Sequence, residues 1–461
     1  MRSELASPHT PQDNLVPPDP SGLSISAHND QPLFYNAGSS STLPATPTAP
    51  REYFTNFGNR PSLVLAGPSA IDVDASLTSR FEKAELVGTG EFSLVYRVTK
   101  QPEASPFHPA FSLTASRSSS QASLPERVWA VKKSKYSYSG AKDRQKKIHE
   151  VDVLKTLGLS DHIVSFVDSW EERGHLYIQT EFCEEGSMDD FLTRVGMQGR
   201  LDDFRIWKIL LELSLGLKHI HDHGFIHLDI KPANILITFE GVLKIADFGM
   251  AAKWPAKAHI EGEGDREYIG PEILKGQYDK PADIFALGLI MVETAGNVSL
   301  PDNGTSWQKL RNGDLSDVPS LTWSSENSNA TRDISGNGLD KEPSFEEMRD
   351  VSGVDDAQLR ESPSSRRSFR GKKSTTHITR EGELTEPPTW MIDPNSEHGL
   401  ERIIRWMISP HPGDRPRVDE VLQTFGVQFA DSRRRAGATI FEGNWGPADE
   451  VLAEDAEMID V

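Results

Sequence analysis

Two segments constrain this chain more than any other feature: His227-Leu228-Asp229-Ile230-Lys231-Pro232-Ala233-Asn234 and, shortly after, Asp247-Phe248-Gly249. Between them lie the apolar triplets Ile235 to Ile237 and Leu243 to Ile245, each the length of a short strand. A hairpin built from these would set Asn234 and Asp247 side by side, bringing an amide oxygen and a carboxylate to one point. Asp229 adds a carboxylate able to hold a hydroxyl, and Lys231 a cation able to offset charge on a moving anionic group. A turn rich in Asp, Pro and Asn is the bland origin of such a segment. Order and spacing across both segments favour the chemical reading, in which Asn234 and Asp247 hold a metal ion.

The chain has 461 residues, 30 of them Pro, and Ser-rich stretches with too few apolar residues to build a core. Residues 1–78 read as a disordered Ser/Pro-rich leader. Residues 79–428 read as one folded domain with insertions at about 101–127 and 324–387, and residues 429–461 as an acidic, solvated tail. Ser-Pro and Thr-Pro pairs at Ser7, Thr10, Thr46, Ser105 and Ser362 fall in these outer segments, where a proline-directed modification is expected. A formal net charge of -20 argues against nucleic acid or an anionic membrane as principal partner, since both demand a basic surface. Cys183 is the only cysteine, which excludes an intrachain disulfide and suits a reducing compartment. Met1 to Thr10 holds no apolar signal core, and the apolar run near Ile284 to Val292 is too short to span a bilayer. A soluble monomer in nucleus and cytoplasm is expected.

Within the domain, Phe81 to Val87, Leu94 to Thr99, Val128 to Lys132, Ile163 to Trp170 and Leu176 to Phe182 have strand patterns, with a helix around Lys142 to Leu157. Ile206, Ile209, Leu210, Leu213, Leu217 and Ile220 then recur at helical spacing, and a further helix is expected over Ala282 to Ala295. The fold class is α+β, a small sheet lobe over a helical lobe, with a nucleotide between them. Gly88 and Gly90, flanked by Val87 and Val95, form a turn whose backbone amides could approach phosphate oxygens. Val128-Trp129-Ala130-Val131-Lys132 resembles the strand that carries the phosphate-pairing lysine of protein kinases, with Ala130 small enough to pack on adenine. An isolated lysine there would read as a solvated edge. Glu150 shifts the balance, because it shares a helix face with Leu154 and Leu157 and needs a buried partner.

Lys132, Glu150, Asp229, Lys231, Asn234 and Asp247 stand in the order and spacing of protein kinases, which the chain therefore resembles. The resemblance implies the bilobal kinase fold, ATP and Mg as cofactors, and a protein substrate. Thr180-Glu181-Phe182-Cys183-Glu184 resembles the kinase hinge, whose backbone at Glu181 and Cys183 would bond the adenine edge. A nucleotide-binding scaffold without turnover is the alternative of another class, and no catalytic position is missing to support it.

Leu228 stands where most kinases carry an arginine that grips a phosphorylated activation segment. From Met250 to Gly270 there is no Ser or Thr, and Tyr268 is the only hydroxyl. A segment held by local contacts, involving Glu261, Glu263, Asp265 and Arg266, and active without phosphate is expected. Glu272 should pair with Arg415, and Asp283 should anchor the catalytic loop.

The sequence Glu263-Gly264-Asp265-Arg266-Glu267-Tyr268, with Leu300-Pro301, Asn303-Gly304, Trp307, Leu310-Arg311 and Gly313, is similar to the Wee family of cell-cycle kinases. That resemblance implies a cyclin-dependent kinase as substrate, modified on the tyrosine of its glycine-rich loop. The residues themselves leave the acceptor open. Lys231, two positions after Asp229, is the Ser/Thr-kinase pattern, yet Asp265 stands where those enzymes usually carry threonine, so a generic Ser/Thr kinase is the runner-up.

Overall fold

In the computed structural model the described residues are 55–56, 74–100, 127–197, 199–256, 260, 262, 264–322 and 382–448. The five Ser/Thr-Pro positions, Glu261 and Glu263, and the acidic run after residue 448 lie outside them.

The amino-terminal lobe is a five-stranded antiparallel sheet of β1 (Lys83–Thr89), β2 (Ser93–Lys100), β3 (Arg127–Ser134), β4 (Phe166–Glu172) and β5 (His175–Glu181), in the order β1-β2-β3-β5-β4. Lys100 pairs with Arg127, so the first insertion leaves and re-enters the sheet at facing positions of one hairpin. Such a loop can lengthen at small entropic cost. One face is covered by α2 (Ala141–Leu157), which buries Glu150, Val151, Val153, Leu154 and Leu157. The short helix α1 (Ala75–Arg80) supports the sheet elsewhere, with Leu77 fully buried among Phe81, Tyr96, Val98, Val131 and Tyr177. Its N-cap Asp74 accepts from Ser76 N and is gripped by Lys133 and the Tyr177 hydroxyl. The last residues of the expected leader are therefore packed. The start of the expected strand from Ile163 is likewise outside the sheet: Ile163 bridges Ile245, and Val164 N donates to Ile245 O at 3.0 Å, so these two residues serve the hairpin that precedes Asp247 instead.

The helical lobe is organised by α4 (Asp203–Asp222) and α5 (Pro281–Gly296). Asp202 caps α4 through Arg205 N, and Pro281 opens α5 where its missing N–H costs nothing. Helix α3 (Met188–Gly196) and the later helices α6 (Gly304–Arg311), α7 (Thr389–Ile392), α8 (Leu400–Met407) and α9 (Val418–Leu422) surround them. Among the described residues no helix is long and apolar enough to cross a membrane.

The carboxyl-terminal reading needs a correction. Residues 429–448, expected to be solvated tail, continue α10 (Phe425–Arg433) and then pack on α4, with Ala430, Ala438 and Trp445 buried. Leu384 N donates to Gly446 O at 3.0 Å and Ala448 N to Gly382 O at 2.8 Å, so the end of the second insertion is also packed. The charge of the last residues concealed this, because the anchoring residues are few and scattered.

Candidate active site

The predicted hairpin exists. Strand β7 (Ile235–Ile237) pairs antiparallel with β8 (Leu243–Ile245), and Ala246 N donates to Asn234 O at 2.8 Å, setting Asn234 beside the residue before Asp247. Asp247 has φ 60° and Leu228 φ 66°, left-handed conformations that non-glycine residues adopt only where surroundings enforce them.

The catalytic loop is held by Asp283, which is 1 % exposed. Its carboxylate accepts from His227 N (2.9 Å), Leu228 N (2.8 Å) and His221 Nε2 (2.9 Å). The fully buried His227 contributes a role that sequence reasoning missed. Its Nε2 lies 3.2 Å from Ala246 O and its Nδ1 3.3 Å from Asp229 N, so a ring protonated at Nε2 donates to the first and accepts from the second. The ring thus ties both motifs together, and its place beside Leu228 in the first of them was the only available hint.

Asp229 Oδ2 accepts from Asn234 Nδ2 at 2.9 Å and lies 3.3 Å from Lys231 Nζ. Its Oδ1 is buried and has no hydrogen-bond partner among the described residues. Asn234 Nδ2 also donates to Asp229 O at 2.8 Å, which commits the amide nitrogen inward and leaves the amide oxygen for a metal. Lys231 Nζ is shared with Asp265 Oδ2 at 3.3 Å. Burial works against its charge, but Asp229 and Asp265 outweigh that and raise its pKa.

Lys132 meets two carboxylates, Glu150 Oε1 and Asp247 Oδ1, each at 2.8 Å. Burial would lower the lysine pKa, yet Glu150 and Asp247 more than compensate and raise it, so it remains an ammonium. Burial would raise Asp247, but Lys132 and the Gly249 amide bring it down to about 2. An ionised carboxylate beside an outward amide oxygen suits a divalent cation that takes its remaining ligands from phosphate and water. Among the described residues no group of three His, Cys, Asp or Glu could hold a metal ion.

In the glycine turn, Gly90 N donates to Ser93 O at 2.9 Å and Gly88 pairs with Val95 across a register shift after Leu86. An added Cβ at Gly88 would meet Val95 only at 3.5 Å, so the strand itself does not demand glycine there. What glycine supplies is uncovered backbone. Val87 precedes it at the end of the shifted pairing, and Ala130 pairs with Thr180 across β3 and β5. At the expected hinge, Glu181 N donates to Ser165 O at 3.0 Å and the Glu181 carbonyl accepts from Thr180 Oγ1 at 3.1 Å, with a second lone pair able to accept from a ligand. The Glu181 side chain accepts from Ser165 N at 2.6 Å and Lys244 Nζ at 3.0 Å, linking hinge to β8. Burial pushes the Cys183 thiol up to about 12, so its backbone and not its sulfur is the chemical asset.

The described residues of the activation segment are held by packing and hydrogen bonds. Leu228 packs with Ile269, Ile273 and Ala282 where an arginine would need an anion. Arg311 Nη2 donates to Arg266 O at 2.7 Å and Glu267 O at 3.1 Å, while Trp307 Nε1 donates to Arg266 O at 2.8 Å and the Arg311 guanidinium stacks 4.0 Å over the Trp307 ring. These contacts were not assigned from sequence, where Trp307 and Arg311 served only as family markers. Gly264 has φ 77° and lies against the loop, since a Cβ there would fall 2.7 Å from Leu228 O. Tyr268 is buried and donates to Glu293 Oε2 at 2.6 Å, so its hydroxyl is occupied. Protein made in bacteria and treated with phosphatase is therefore expected to keep its rate within about twofold, and Tyr268→Phe to leave no phosphate-dependent step. Steady-state kinetics before and after treatment decide this. A large loss restored by rephosphorylation would show a required modification.

The protein kinase domain family matches residues 119–425. Mitosis inhibitor protein kinase wee1 of Schizosaccharomyces pombe is 40% identical over 408 residues, covering 86% of this chain and 38% of that protein. Mitosis inhibitor protein kinase SWE1 of Saccharomyces cerevisiae is 36% identical over 422 residues, 84% of this chain and 47% of its own length. The mik1 kinase of S. pombe is 36% identical over 282 residues, 61% of this chain and 44% of its own. The chain thus spans less than half the length of these relatives. Fold, site geometry and the extent of the match agree: the chain belongs to the protein kinase family, with fungal mitosis inhibitor kinases among its relatives.

Proposed function

We propose that the chain is a Wee-type kinase that transfers the γ-phosphoryl group of ATP, with Mg2+, to the glycine-loop tyrosine of a cyclin-dependent kinase, and so restrains entry into mitosis. The observation that carries the catalytic part is the buried Asp229 Oδ1, left open for an acceptor hydroxyl while Oδ2 is fixed by Asn234 and Lys231. Lys132, held by Glu150, would take the phosphates, and Lys231 would offset charge on the transferred group. Asn234 and Asp247 would hold the metal, which supplies charge neutralisation between the phosphates when bound. The glycine turn with Val87 and Val95 would cover the nucleotide, and Ala130, Glu181 and Cys183 would line its base.

The substrate class is supported by relatives named mitosis inhibitor protein kinases, and by a further one, 37% identical over 237 residues, the membrane-associated tyrosine- and threonine-specific cdc2-inhibitory kinase of Drosophila melanogaster. Acting on such a substrate, the protein would work as a monomer in nucleus and cytoplasm. Purified protein incubated with a cyclin-dependent kinase is expected to yield phosphotyrosine, and none on a substrate whose glycine-loop tyrosine is phenylalanine. Phosphoserine or phosphothreonine persisting on the phenylalanine substrate would instead support a generic Ser/Thr kinase, the reading that the position of Lys231 favours.

A further inference from the structure

Lys208 and Glu212 stand one turn apart on α4, and at 0 % and 1 % exposure neither meets water. What covers them is the segment after α10, beyond residue 425 where the family match ends. Lys208 Nζ donates to Gly437 O (3.0 Å), Ile440 O (2.7 Å) and the Glu442 carboxylate. Arg434 Nη1 donates to Glu212 Oε1 at 3.2 Å. Burial lowers the Lys208 pKa and lifts Glu212 to about 7, as expected of charges shut away from water whose partners come largely from one distant segment.

The same segment sits on the turn of the metal-ligand hairpin. Thr439 N and Oγ1 both donate to Gly241 O, at 3.1 and 3.2 Å. Gly437 lies so close that an added Cβ would fall 2.4 Å from the Gly241 carbonyl carbon. The second oxygen of Glu212 accepts from Leu243 N, the first residue of β8, at 2.8 Å. The hairpin is a sheet of two strands only, and an isolated pair of that length is not stable in water. One end is supported by His162 and Val164, whose backbones bond Ile245 at 2.9 and 3.0 Å. The turn end is held by Glu184, whose carboxylate accepts from Phe239 N at 3.1 Å, by backbone bonds of Glu185 and Gly186 to Ile237 at 3.1 and 2.9 Å, and on its other side by the 434–442 segment.

We propose that residues 434–442 form a positioning strap: clasped by Lys208 and Glu212, it fixes the hairpin turn and, through β7 and β8, the placing of Asn234 and Asp247 toward the nucleotide's metal. The inference rests on the phosphoryl-transfer reading of the site and is independent of which residue accepts the phosphate.

The test is Gly437→Ala in the full chain, read first by hydrogen exchange without nucleotide and then by kinetics. Amides of β7, β8 and Ala246 should exchange at least about tenfold faster while those of α5 and the upper sheet keep wild-type protection. The KM for Mg·ATP should rise severalfold with a smaller change in kcat. Wild-type hairpin exchange and KM, or protection lost evenly through α4 and α5, would overturn the strap. Should that variant not fold, Glu442→Leu is expected to reproduce both effects, and Glu442→Gln, which keeps an acceptor for Lys208, to restore them. Equal behaviour of those two variants would also overturn it. A failed tyrosine assay would leave the exchange result untouched, so the two readings fail separately.

Discussion

Asp229→Asn is expected to lower phosphoryl transfer by at least about a hundredfold while leaving the unfolding midpoint near that of the wild type. Oδ2 faces two donors, Asn234 Nδ2 at 2.9 Å and Lys231 Nζ at 3.3 Å, and Oδ1 faces none among the described residues. A carboxylate serves both sides at once. An amide has one oxygen, so it must present its NH2 either to the incoming hydroxyl or to Asn234 and Lys231. The first orientation cannot hold the acceptor proton, and the second sets donor against donor. Nucleotide affinity should survive, because Lys132, Glu150 and Asp247 form a separate cluster. Single-turnover transfer measured beside equilibrium nucleotide binding separates the two. Transfer near the wild-type rate would remove Asp229 from the chemistry, whatever the acceptor.

Arg415→Ala should cost about 3–5 kcal/mol of stability, because it leaves Glu272 buried without its cation. The Arg415 side chain is fully buried, and its guanidinium grips both Glu272 oxygens while donating to Pro281 O at 2.9 Å and Ser409 O at 2.7 Å. It also lies 4.6 Å over the Phe285 ring of α5. One side chain thus joins the end of the activation segment, the start of α5 and the loop after α8. Urea unfolding gives the magnitude. Combining Arg415→Met with Glu272→Leu should recover much of the loss, since a buried pair replaced by apolar groups no longer strands a charge. A loss below about 1 kcal/mol for the single variant would mean that water reaches the pair in solution.

The candidate chemistry is legible in a short run of residues. Asp229, Lys231, Asn234 and Asp247 lie within one short stretch, and the hairpin between them is a local structure that apolar triplets and a turn suffice to specify. The Lys132–Glu150 and Glu272–Arg415 pairs were legible for a related reason, since a buried charge must find its opposite and the motifs offered few candidates. The helical spacing of α4 was legible too, but not that its polar face is buried. Nothing local marks Lys208 and Glu212, one turn apart, as buried, and only the docking of a segment more than two hundred positions later shuts them in. The packing of Leu77 under the sheet, the bracing of the activation segment by Arg311 and Trp307, and the seating of Gly437 on Gly241 belong with it. Each depends on a surface that exists only after distant elements have come together. Periodicity and composition report what a residue could bury locally, whereas tertiary structure decides what arrives to cover it.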